Sequence, residues 1–134
     1  MPVSFEATFP ATPSGVGAMR RDVAAFAGRA GMDADDVADV SLAVSEAATN
    51  AVVHAYRESA GHLRVRAHVD GAELIVVVCD TGSGMAPRDD SPGAGLGLGL
   101  ISSLATRVSI RPVAPRGTEL VMRFDVGEHG ASGS

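Results

Sequence analysis

Six consecutive apolar residues, Leu74-Ile75-Val76-Val77-Val78-Cys79, follow an Asp70-Gly71 pair and run straight into Asp80. No polar residue alternates with them, so the segment predicts a strand buried on both faces or nearly so. Asp-Gly is a strong hairpin signal. Ahead of it, Leu63, Val65, Ala67 and Val69 alternate with Arg64, Arg66, His68 and Asp70. A second hairpin is predicted where Val108-Ser109-Ile110-Arg111 and Thr118 to Val126 flank Pro115-Arg116-Gly117. Two adjacent hairpins make a mainly antiparallel sheet, and its apolar face needs cover.

The cover comes from helical patterns. Val3, Phe5, Ala7 and Phe9 alternate with polar residues and predict a first strand. Thr12-Pro13-Ser14 then starts a helix, with proline suited to the first turn, and Val16, Met19, Val23, Phe26 and Ala30 recur at helical spacing until Gly31. Asp33 is a good N-cap for the next helix, with Asp35 and Asp36 at its positive end and Met32 and Val37 placed as a hydrophobic staple. That helix is predicted to run to about Tyr56 or Arg57. Met85 to Gly99 is loop-like, and Leu100 to Thr106 reads as a short helix. The order predicts an α+β two-layer sandwich: a mainly antiparallel or mixed sheet covered on one face by helices, not a doubly wound parallel fold. One domain spans residues 1–127, and 128–134 form a polar tail.

Composition narrows the function classes. The chain has 134 residues, 46% of them hydrophobic, which suits one compact domain. Tyr and Phe are few and Trp is absent, so the core is Val, Leu, Ile, Ala and Met. A net charge of −5 argues against nucleic acid or an anionic membrane as the main partner. All basic residues are Arg, which excludes a catalytic Lys and the phosphate loop that ends in Gly-Lys-Ser/Thr. Cys79 is alone, as expected of a buried, reduced thiol and a cytoplasmic chain. The start lacks the regions of a signal peptide, and the longest aliphatic run is too short to span a bilayer.

Three motifs carry chemistry. On the second helix Glu46, Asn50, His54 and Arg57 share an arc of about 80°, from about 100° per residue. A carboxylate and a carboxamide one turn apart can share a pocket. The amide oxygen is a hard, neutral ligand fit for Mg²⁺, and the carboxylate can orient or deprotonate a hydroxyl. An ordinary solvated helix face gives the same pattern, and His54 alone reads as a packed or capping histidine. Asp80 ends the buried strand ahead of Gly82 and Gly84. A carboxylate there can accept from the exocyclic amine of adenine, and the glycines allow close backbone approach; a plain Asp-Gly turn is the alternative. Gly93, Gly95, Gly97 and Gly99 alternate up to a helix start, where N–H groups favour phosphate. A lid without ligand is the alternative there, and a dinucleotide fold is not, because no strand directly precedes the glycines.

Together these residues resemble the GHKL ATPase superfamily, and within it the bacterial anti-sigma-factor serine kinases. Leu42 to Tyr56 looks like their N box, Gly95-Leu96-Gly97-Leu98-Gly99-Leu100-Ile101 like their second Gly box, and Gly117-Thr118-Glu119-Leu120-Val121-Met122 like their closing strand. The likeness runs from Val3 to Val126. It implies the Bergerat ATP-binding fold and an ATP–Mg²⁺ site. Asn50 would ligate the metal, Asp80 would read adenine, and Glu46 would act as the base. Gly82, Gly84, Gly93, Gly95, Gly97, Leu98 and Gly99 would hold nucleotide, and Thr118 would support the adenine side. It also implies partners: a sigma factor, an anti-anti-sigma (STAS-type) acceptor near Arg20, and a second copy in a homodimer, with no direct nucleic acid or membrane contact. Two rivals remain open. A detached histidine-kinase domain would have Asn where Glu46 stands. A non-catalytic, ATP-dependent binding module has the same sequence features as a kinase.

Overall fold

The computed structural model describes residues 4–55, 61–80, 96–112 and 117–126. Thr12 caps the first helix by accepting the Gly15 amide at 3.1 Å, with Pro13 in the first turn. This helix, α1, spans Pro13–Arg29, and Gly31 turns the chain away at φ +104°. Asp33 caps the second helix, α2 (Ala34–Ala55), through Oδ1, which accepts the Asp36 amide at 2.9 Å. Both caps stand where the sequence puts them. Residues 56–60, with Arg57, lie outside the described residues.

The strands are β1 (Ser4–Pro10), β2 (His62–Asp70), β3 (Glu73–Asp80), β4 (Arg107–Pro112) and β5 (Thr118–Asp125). They form one sheet in the order β1-β2-β3-β5-β4, and every pairing among the described residues is antiparallel. The β2–β3 hairpin turns at Gly71, whose φ of +62° suits glycine. The strand β5 returns between β3 and β4, so the longest apolar strand is interior to the sheet.

Alternation assigns the two faces. Leu63, Val65, Leu74, Val76, Val78, Leu120 and Met122 point to one side and join a single core with Met19, Val23, Val40, Val44 and Ile101 from the helices. Each such side chain contributes about 1.5–3 kcal/mol of burial. On the other side Ile75, Val77 and Val121 form a small second cluster with half-buried Cys79. The strand β3 is therefore apolar on both faces, as its unbroken run requires.

The third helix, α3, spans Leu96–Leu104. The sequence predicted it over Leu100 to Thr106, so Gly97 and Gly99 are helical rather than loop. Ile101 is fully buried and Ala105 nearly so, and this anchorage carries the helix across glycines that propensity alone disfavours. Gly82, Gly84, Gly93 and Gly95, the lid from Met85 to residue 95, Asp89 and Asp90, and the 128–134 tail lie outside the described residues.

Candidate functional site

The helix α2 packs on β3 through alanines. Ala43, Ala47, Ala48 and Ala51 have no exposed surface. Their small side chains bring the helix close to the sheet, which half-buries the neighbouring Glu46 and Asn50 on the flank. The two are one turn apart, as the spacing predicts. The Asn50 side-chain nitrogen is buried and has no hydrogen-bond partner among the described residues. A buried polar group left so costs about 1–3 kcal/mol. In a native protein it marks a place where something polar belongs.

Asp80 and Thr118 are the buried polar side chains of the described residues, at 2% and 4% exposure. They are direct partners across β3 and β5, on the rung where that pairing ends. Alternation puts both on the face that the helices cover. A carboxylate and a hydroxyl side by side, at a desolvated sheet end, can read a donor–acceptor edge with little competition from water. The sequence proposed the two separately, and the register brings them together.

Among the described residues no group of three His, Cys, Asp or Glu side chains is placed to hold a metal ion. A metal here would lean on one amide and on phosphate oxygens and water. That is how Mg²⁺ binds, since it dehydrates reluctantly and takes few protein ligands. The unpartnered Asn50 amide fits that role. Gly97 and Gly99 lie in the first half of α3; an added Cβ at Gly99 meets nothing within 4 Å. Its lack of a side chain therefore answers to no packing need among the described residues.

Sequence reasoning missed a polar cluster on the opposite face. Glu119, next to Thr118, accepts from Arg66 Nη2 at 2.8 Å, Arg111 Nε at 3.0 Å and the Cys79 thiol at 3.3 Å. Burial pushes the Glu119 carboxyl up. The thiol, the Arg111 hydrogen bond and the two guanidinium charges outweigh this and hold it below the usual carboxylate range. Burial, then Glu119 itself, push the Cys79 thiol up to about 11. The alternation of β2 and β5 in the sequence already placed Arg66 and Glu119 on the polar face, but not beside each other.

Comparison with known proteins agrees with this geometry. Residues 9–124 match the family of the histidine kinase-like ATPase domain. The chain is 34% identical over 125 residues to "Serine-protein kinase RsbW" of Halalkalibacterium halodurans, covering 82% of this chain and 76% of that protein. It is 30% identical over 115 residues to "Anti-sigma F factor" of Clostridium kluyveri, covering 78% and 81%. A crystal structure of the RsbU and RsbW domains of a Mycobacterium tuberculosis protein superposes with a TM-score of 0.74 at 26% identity. That match covers 94% of this chain and 33% of the larger one.

Proposed function

The chain belongs to the histidine kinase-like ATPase domain family, and we propose that it is an ATP-dependent anti-sigma factor and protein serine/threonine kinase whose acceptor is an anti-anti-sigma protein. The observation that carries the reading is the α2 flank, where Glu46 stands one turn from the buried, unpartnered Asn50 amide. Relatives at 34% and 36% identity bear the name of serine-protein kinase, which supports the same chemistry.

Asp80, with Thr118 beside it, would accept from the adenine amine. Asn50 would hold Mg²⁺, which when bound supplies neutralising charge to the phosphates. Gly97 and Gly99 would admit the phosphates to the first turns of α3, with Gly82, Gly84, Gly93, Gly95 and Leu98 completing the contact. Glu46 would take the proton of the acceptor Ser or Thr as its oxygen bonds to the γ-phosphorus and the bond to ADP breaks. Phosphoryl transfer needs positioning and charge stabilisation more than covalent chemistry from the protein. The phosphate left on the acceptor adds about −2 charge, enough to end a protein contact.

The acceptor would be held outside the nucleotide site. Arg20 is exposed on α1 and borders a groove of about 380 Å³ between α1 and α2, near Ser45 and Thr49. The sigma factor would compete for the chain in its ATP-bound state, the chain would act in the cytoplasm, and a homodimer would be the working form. No described helix is long and apolar enough to cross a membrane.

The test is radiolabelled ATP with candidate acceptors, wild type against Glu46→Ala. The variant should keep ATP and partner binding and lose transfer. If wild type binds ATP yet labels no Ser or Thr on any acceptor, the ATP-gated binding module replaces the kinase.

A further inference from the structure

Glu119 is not among the residues given a role above, yet its carboxylate joins more strands than any other described side chain. It sits on β5 and takes hydrogen bonds from β2 through Arg66, from β3 through Cys79 and from β4 through Arg111. Cys79, Glu119 and Arg111 form one rung across β3, β5 and β4. The adjacent rung is Asp80, Thr118 and Pro112, with Leu63 opposite Asp80 on β2. The β3–β5 pairing stops there. Two strand ends with no further ladder hydrogen bonds are free to splay, and Asp80 and Thr118 stand on those ends.

We propose that Glu119 is a positioning residue for adenine recognition, clamping the ends of β2, β3, β4 and β5 from the outer face so that Asp80 and Thr118 keep their spacing on the inner one. Adenine selectivity needs two hydrogen-bonding groups held within a few tenths of an ångström, which a frayed rung does not provide. The clamp suits the task in three ways. The carboxylate is only 16% exposed, so its bonds to Arg66 and Arg111 are less screened than those of a surface pair. Its bonds go to three different strands, so it fixes their relative positions rather than one loop. It reaches none of the nucleotide-facing groups, because alternation sends it to the opposite side of the sheet.

This role rests on the ATP site proposed above, and the experiment separates the two. ATP and GTP affinities are measured by calorimetry for wild type, Glu119→Gln, Arg111→Gln, Glu119→Asp and Glu73→Gln. Glu73 pairs with Arg123 at 3.2 Å on the same face but at the far end of β3, so it controls for general loss of an ion pair. The expected result is a fivefold to tenfold loss of ATP affinity in Glu119→Gln with a narrowed ATP-over-GTP preference. Arg111→Gln should lose less, Glu119→Asp should recover part of the loss, and Glu73→Gln should match wild type. In phosphorylation assays the loss should fall on KM for ATP, with kcat at saturating ATP within twofold. Iodoacetamide should label Cys79 faster in Glu119→Gln, since the neighbouring carboxylate charge is gone.

Equal losses in Glu119→Gln and Glu73→Gln, or no loss in either, would overturn the positioning role and leave the ATP site standing. Unchanged Cys79 labelling would overturn the clamp contact itself. A wild-type protein that binds no ATP would overturn the ATP site, and the role of Glu119 with it. Arg111→Gln loses only one strut, so it keeps the comparison alive if Glu119→Gln does not fold.

Discussion

Gly99 gives a prediction in which two effects have opposite signs. It is the fourth residue of α3, exposed, and a Cβ built on it meets nothing within 4 Å. Its φ is not positive, so the backbone there is open to any residue. Alanine should therefore fit without strain and stabilise the nucleotide-free protein by up to about 1 kcal/mol, from helix propensity and a less flexible unfolded chain. For a domain of this size that raises Tm by roughly 3–5 °C. If the space above Gly99 is where a phosphate approaches, the same methyl should weaken ATP binding, by about tenfold if one N–H contact is lost. Ligand at 100 times the wild-type Kd stabilises wild type by about 2.7 kcal/mol and a tenfold weaker variant by about 1.4. The gain and the loss then nearly cancel. Melting curves of Gly99→Ala should lie above wild type without nucleotide and meet it with saturating ATP–Mg²⁺. A parallel upward shift in both conditions would show that Gly99 faces no ligand. A lower Tm without nucleotide would refute the open-space argument itself.

Three further outcomes are expected. Gly15→Ala should lower stability by about 1–3 kcal/mol or more, since overpacking costs that much; its Cβ would lie 1.8 Å from the Pro10 carbonyl oxygen, and an unchanged urea midpoint would refute the close approach. Asp80→Asn should weaken ATP binding by about 1–3 kcal/mol while the fold persists, because a buried hydrogen-bonding carboxylate is changed; calorimetry that finds ATP and GTP equal in wild type would refute the adenine role. Acid should act through Glu119, whose carboxyl is lowered in the folded chain. A lowered folded value stabilises above the unfolded value and is lost as pH falls through the folded one. Urea midpoints of wild type should therefore fall more steeply than those of Glu119→Gln as pH drops below about 4.5, the ordinary carboxyl value.

How much of this was legible in the sequence follows from the range of each interaction. The Thr12 and Asp33 caps, the turn at Gly71 and the Glu46–Asn50 turn of α2 are set within a few residues, and the sequence places each correctly. The pairing of Asp80 with Thr118 depends on residues 38 positions apart in the chain, and on β5 returning between β3 and β4. Alternation tells which face a residue takes, never which strand lies beside it. The Glu119 cluster was hidden for that reason: Arg66, Cys79 and Arg111 come from three strands that only the sheet order brings together. The early start of α3 was hidden for a different one. Glycine content argued for a loop through Gly99, while the burial of Ile101 and Ala105 decided for a helix from Leu96. Propensity differences of about 1 kcal/mol per glycine are smaller than the burial of one isoleucine. A helix that starts on glycines is thus held from its far end, which leaves its first turns free to meet a ligand.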